Sequence, residues 1–321
     1  MSQRPPPSPD TIARAHGFID PVFVNTPLVG HRVVDDTLGC RLLAKVETLN
    51  PIRSFKGRGT DWFVTSGAAT GPLVTASAGN FGQGLARAAV AAGLPIVVYA
   101  SVNANPLKIE AMRRLGAEVR LSGDDFDEAK DAARRFAEGG GGMLVVDGDQ
   151  TAIAEGAGTI ALEMLRDAPG LDDIVVPLGN GALATGMGAF VKAMLPRTRV
   201  VAVVAAGAPA MKVSFDTGTL VETEDADTIA DGIAVRVPVP YALETMRGTV
   251  DEVLAVDDAS ILAAMRLAHE RFGLIVEPAG AAGLAAIMAH PAAFAGRAVG
   301  TVFCGGNLTP AQILSWLTPS S

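Results

Sequence analysis

From about Leu73 onward, short runs of β-branched residues alternate with longer Ala-rich amphipathic stretches. This alternation limits the possible folds more than any other feature, because an apolar run followed repeatedly by a helical stretch builds βαβ units around a parallel sheet. It predicts an α/β fold with strands at 73–77, 95–100, 117–121, 143–146, 173–177, 199–204 and 297–304, and helices between most of them. These are enough strands for two sheets. Regular structure pauses near Gln150, which groups the strands before it into one compact unit and the later strands into another. The run Gly139-Gly140-Gly141-Gly142 lies between a helix and a strand. It reads as a turn, since phosphate loops run from strand to helix. Residues 209–249 carry few periodic signals and read as a structured excursion near a cleft.

Composition narrows the class of partner. A chain with 49% hydrophobic and 19% charged residues can bury a large core, and its formal net charge of −8 argues against tracking nucleic-acid phosphates. Apolar stretches such as 96–100 are far shorter than the ~20 residues of a spanning helix, so no membrane partner is expected. Two cysteines make no disulfide framework, and the opening MSQRPPPSPD lacks an apolar signal-peptide core. A cytoplasmic setting and a small-molecule ligand are the resulting expectations. The four histidines show no metal-ligand spacing. The chain stops soon after Trp316, from which no appended regulatory domain is expected.

Five segments carry chemistry. Asn50-Pro51-Ile52-Arg53-Ser54-Phe55-Lys56-Gly57-Arg58-Gly59 puts Lys56 in the opening turn of a helix, where Arg58 and small or aromatic neighbours favour a neutral, nucleophilic amine. Taken alone, such a lysine is more often simply solvated. In Ser77-Ala78-Gly79-Asn80-Phe81 an apolar strand ends in small residues before an Ala-rich helix. Its free amides suit an anion such as a carboxylate, while an ordinary N-cap by Ser77 or Asn80 is an equal reading. Gly179-Asn180-Gly181-Ala182-Leu183 follows an apolar strand and opens a helix, as a cradle for one phosphate would; G-x-G-x-x-G and G-K-S/T patterns are absent here. Glu277-Pro278-Ala279-Gly280 opens a further helix, and Cys304-Gly305-Gly306-Asn307 ends a strand. Alone, Glu277 is a first-turn carboxylate and Cys304 a small buried hydrophobe.

In this order the five segments resemble the fold type II pyridoxal-phosphate enzymes, within them the serine/threonine dehydratase and serine racemase branch, over nearly the whole chain. Thr228-Ile229-Ala230-Asp231-Gly232 is a further match. The resemblance implies a tryptophan synthase β-like architecture, with two open twisted parallel-sheet domains flanked by helices and the cofactor in the cleft between them. It implies a large cofactor-binding domain of residues 1–67 and 150–321, a small substrate-loop domain of 68–149, and a homodimer. It also implies that Lys56 carries pyridoxal 5′-phosphate as a Schiff base and then acts as base. Phe55 would pack on the ring, Asn80 meet its hydroxyl, residues 179–183 hold its phosphate, Glu277 line the site and Cys304 face the ring nitrogen. Ser77, Ala78, Gly79, Asn80 and Phe81 would bind the substrate.

The implied activity is loss of water and ammonia from a β-hydroxy amino acid such as L-threonine or L-serine. A β-replacement or threonine-synthase-like enzyme, a racemase and a non-catalytic cofactor-binding protein are the alternatives. Ala78 stands where the racemases have a serine base, which favours elimination. The family's acidic cation ligands align here near Val204 and Ala210, neither of which can bind a hard cation, so no metal is expected there. Phe81 replaces the usual histidine, and Asn180 and Ala182 interrupt the usual glycine run. Arg53 either engages an acidic substrate or is a solvated loop charge, the commoner case.

Overall fold

The structure is a computed structural model that describes residues 4–104 and 106–318, so Met1–Gln3 of the opening segment lie outside the described residues. Its strands are β1 (Leu28–Val29), β2 (Arg41–Val46), β3 (Leu73–Ala76), β4 (Ile96–Ala100), β5 (Glu118–Leu121), β6 (Met143–Leu144), β7 (Asp173–Pro177), β8 (Arg199–Ala205), β9 (Glu252–Val256) and β10 (Ala298–Phe303). They form two sheets, ordered β5-β4-β3-β6 and β1-β2-β10-β7-β8-β9. Every pairing is parallel except that of β1 with β2, which leaves one antiparallel edge on the larger sheet. The fold is α/β, with two parallel-sheet layers covered by helices.

Three strands, β1, β2 and β9, are not among those expected from sequence. The strand β2 escapes pattern recognition because it carries Arg41 and Lys45 in a run without clean alternation. Lys45 is nonetheless fully buried, its ammonium 2.7 Å from Glu163 and 2.6 Å from the Thr26 carbonyl. The expected strand at 143–146 pairs over only two residues before the chain leaves the ladder. Segment 209–249 contains helices Ala210–Thr217 and Pro240–Met246, too short for their period to stand out. The glycine run is a turn between helix Phe126–Phe136 and β6, with Gly140 at φ 87° and Gly142 at φ 141°. No helix among the described residues is long and apolar enough to cross a membrane.

The Ala and Gly content is explained by how closely the helices approach. A Cβ placed on Gly186 of helix Ala182–Met194 would lie 1.8 Å from the Ala154 carbonyl oxygen of helix Thr151–Asp167. One placed on Gly156 would lie 2.5 Å from the carbonyl oxygen of Arg58, in helix Lys56–Thr65. Backbone-to-backbone contact of this kind recovers dispersion energy that longer side chains would forfeit to voids. It also seats the first turn of helix Lys56–Thr65 rigidly against the larger unit.

Candidate active site

The loop that presents Lys56 is locked by short-range polar contacts. The Asn50 side chain donates to the Glu47 and Ser54 carbonyls at 2.9 and 3.0 Å and accepts from the Ile52 and Ser54 amides at 3.2 Å. The Phe55 amide donates to the Cys304 carbonyl at 3.0 Å, which ties the loop to the end of β10. The helix then begins at Lys56, so its side chain leaves from the first turn.

Arg58 does not act as the neighbouring cation that the sequence suggested. Its guanidinium is fully buried and bonded to Glu47 at 2.8 Å through Nε and Nη2, to Glu163 at 2.6 and 3.0 Å, and to Thr159 at 3.0 Å. With Lys45 it makes two cations against two carboxylates. Burial alone would raise the Glu163 carboxyl, but Arg58 and Lys45 outweigh it and hold it at about 2. This cluster fastens β2, helix Lys56–Thr65 and helix Thr151–Asp167 behind the site.

Lys56 faces the other way, into a cavity of about 790 Å³. Its Nζ lies 2.6 Å from Asp147 Oδ2, 4.7 Å from the centre of the Phe55 ring and 5.9 Å from that of Phe81. The other candidates line the same cavity: Ser77, Ala78, Gly79, Asn80, Gly179, Asn180, Gly181, Ala182, Leu183, Glu277 and Cys304. Arg53 is not in its lining and is exposed, so the solvated reading holds for it.

Each loop is shaped by its own residues. Ser77 Oγ accepts from the Gly79 and Gly82 amides at 3.2 and 3.0 Å, capping helix Asn80–Ala91 from two residues before its N-cap. Thus Ser77 does cap, and first-turn amides are still left without intrahelical acceptors. Helix Ala182–Met194 has Gly181 at its N-cap and no side-chain cap bond, so its positive end is bare. Gly181 has φ 98°, and a Cβ there would lie 2.4 Å from that of Ala242. Only glycine fits.

Glu277, Asn80 and Asn307 form a closed network. Asn80 Nδ2 donates to Glu277 Oε1 at 2.7 Å, the Asn307 amide donates to Oε2 at 3.0 Å, and Asn307 Nδ2 donates to Asn80 Oδ1 at 2.8 Å. Burial, then repulsion from Asp231, pushes the Glu277 carboxyl up to about 7. Burial and the proximity of Glu277 also push the Cys304 thiol far up, which keeps it neutral.

Sequence reasoning missed Asp147 and assigned no role to Asn307. Asp147 ends the β6 segment in a Val-Val-Asp-Gly run, and its signal was position: a polar residue just beyond the carboxyl end of a parallel strand. Ion pairs Lys108–Asp231 and Arg236–Asp127 also link the two units across this cavity, and of these four residues only Asp231 lies in a segment that the sequence singles out.

The donor set fits a phosphorylated aromatic aldehyde. It has an amine at a helix start, a bare helix N-terminus for phosphate, an aromatic side chain beside the amine and a neutral thiol. A sequence model described as "Pyridoxal-phosphate dependent enzyme" matches residues 19–305. The chain is 37% identical over 287 residues to L-threonine ammonia-lyase of Geobacter sulfurreducens, covering 88% of this chain and 71% of that one. It superposes on maize serine racemase with a TM-score of 0.89 at 27% identity, over 97% of both chains. A threonine deaminase from T.th. gives 0.88 at 32% identity, over 94% of this chain and 99% of that one. Extent of match, fold and donor set agree: the chain belongs to the pyridoxal-phosphate-dependent enzymes of fold type II.

Proposed function

We propose that this protein is an ammonia-lyase converting a β-hydroxy amino acid, such as L-threonine or L-serine, to a 2-oxo acid and ammonia. The observation that carries the reading is the placement of Lys56 in one cavity with a bare helix N-terminus, the Ser77–Phe81 loop and a neutral Cys304. Similarity to an L-threonine ammonia-lyase supports it. Lys56, Phe55, Asn80, Gly179, Asn180, Gly181, Ala182, Leu183, Glu277 and Cys304 would hold the cofactor. Ser77, Ala78, Gly79, Asn80 and Phe81 would hold the substrate.

Bound pyridoxal phosphate supplies an electron sink for the pair released at the substrate α-carbon. Amides of the Ser77–Asn80 loop hold the substrate carboxylate, with the helix start adding favourable charge. Lys56, released to substrate, takes the α-proton as base. The Glu277–Asn307 contacts fix the orientation of Asn80. Cys304 is a buried neutral thiol that would meet the ring nitrogen of the bound cofactor, and, unlike a carboxylate, it would not hold that nitrogen protonated, which would favour prompt loss of the β-hydroxyl. Ala78 offers a methyl group with no proton to give, which sets the racemase reading behind elimination.

The reading includes a small substrate-loop domain at 68–149 and a larger domain of 1–67 and 150–321, supported by two sheets that share no strand. It also includes a cytoplasmic setting, in keeping with two buried unpaired cysteines, and a homodimer, as in the family it resembles. Sedimentation would test the dimer.

The deciding experiment is visible absorbance of wild type and Lys56→Ala with added L-serine, L-threonine or 3-hydroxyaspartate, alongside a 2-oxo-acid assay. Lysine-linked absorbance lost in the variant, with 2-oxo acid and ammonia formed by wild type without added thiol, is the expected result. A colourless wild type overturns the cofactor reading, and a coloured enzyme that needs a thiol moves it to β-replacement.

A further inference from the structure

The Lys56–Asp147 pair differs from the buried Asp173 cluster. Asp173, for comparison, has both oxygens engaged by Arg199 and Arg297. Asp147 Oδ2 has Lys56 Nζ at 2.6 Å and a marginal contact from Asn180 Nδ2 at 3.5 Å, whereas Oδ1 is buried with no hydrogen-bond partner among the described residues. Both side chains of the pair are about one-seventh exposed, at 15% and 14%. A carboxylate oxygen with no protein partner beside a cavity is free to accept from a ligand or from a moving proton.

The carboxylate is also held in place. Gly148, with φ 80°, presses the chain directly after Asp147 against the phosphate loop, and a Cβ there would fall 2.0 Å from the Asn180 carbonyl oxygen. Asp147 therefore stands rigidly between the amine and the cradle. The pair forms when the amine is unlinked, which is also the state of the lysine during turnover.

Resting on the lyase reading above, we propose that Asp147 is the dock of the released lysine. It holds Nζ while that nitrogen accepts the α-proton and carries it to the leaving group. In this step the Cα–H bond breaks, its electron pair stays on the substrate, and the proton forms an ammonium on Lys56 paired with Asp147 Oδ2. As the Cβ–O bond breaks with its pair going to oxygen, the same proton passes to that oxygen and water leaves. Lys56 returns to a neutral amine and Asp147 remains a carboxylate throughout. Asp147 touches the reacting nitrogen, which makes it a catalytic residue in this scheme.

Two measurements on Asp147→Asn test this. In the holoenzyme, lysine-linked absorbance should persist while kcat for the best β-hydroxy amino acid falls roughly a hundredfold with KM little changed, within the range of acid–base assistance. In the full-length cofactor-free chain, acetylation of Lys56 by acetic anhydride, followed by mass spectrometry, should speed up several-fold, because the pair no longer holds the nitrogen. Asp147→Glu should recover part of kcat, and Asp147→Ser carries the same expectations as Asp147→Asn should the latter not fold. A kcat within twofold of wild type, loss of the cofactor absorbance, or unchanged acetylation overturns the proposal. A wild type that turns over no β-hydroxy amino acid overturns the lyase reading instead, and the acetylation arm still decides the pair.

Discussion

Two cations stand two residues apart on one helix turn and live in opposite surroundings. Arg58 is fully buried, and Glu47, Glu163 and Thr159 all bind its guanidinium. Lys56 borders a cavity and has a single carboxylate whose second oxygen is unsatisfied. The difference separates structure from chemistry. A dry, saturated charge cluster holds elements together and has no spare valence, whereas an under-satisfied pair beside a cavity has capacity left for a ligand or a proton.

The comparison is broken most severely at Arg58. Arg58→Ala leaves Glu47 and Glu163 buried and short of a cation, and should cost about 3–5 kcal/mol in denaturant unfolding. Lys56→Ala, two residues away, should remove cofactor linkage while costing less than about 1 kcal/mol, as expected for a partly exposed side chain outside the packed core. Equal losses at the two positions would erase the distinction.

Acid sharpens the same contrast. The folded-state value of Glu163 is about 2 against an ordinary 4.5, so its contribution is complete above pH 4.5 and is lost as pH falls toward 2. The loss should be on the order of 3 kcal/mol. Stability measured from pH 6 down to pH 2 should decline in that window for wild type, and less steeply for Glu163→Gln, which starts from a lower value.

A smaller effect than at Arg58 is expected at Glu277, whose two oxygens accept from Asn80 and the Asn307 amide. Glu277→Gln sets an NH₂ group against one of these donors and should cost about 1–3 kcal/mol. Because the Glu277 carboxyl is raised to about 7, its contribution in wild type is fullest below 4.5 and declines as pH rises through 7. Thermal melts of the variant should lose that decline.

Much of this molecule is legible in its chain. Residues 73–77 and 173–177 announce themselves as strands because a parallel strand covered on both faces is a continuous apolar run. The loops at Ser77, Gly179 and Cys304 stand out because small residues follow such strands where helices begin. The strand β2 does not, since Lys45 is tolerated there by virtue of Glu163, far away in sequence, and of the Thr26 carbonyl. Asp147 gives only the signal of its position after a strand, because Val-Val-Asp-Gly is equally an ordinary strand end and turn.

Features written into the chain alone are therefore local: the alternation of strand and helix, the small-residue turns at strand ends, and the position of Lys56 at a helix start. These follow from steric and hydrogen-bonding rules that act over a few residues. Folding in three dimensions chooses which carboxylate meets which cation, giving Arg58 to Glu47 and Glu163 and Lys56 to Asp147, across 91 residues in the last case. Charge pairing depends on distance in space and on burial, and neither is carried by spacing along the chain.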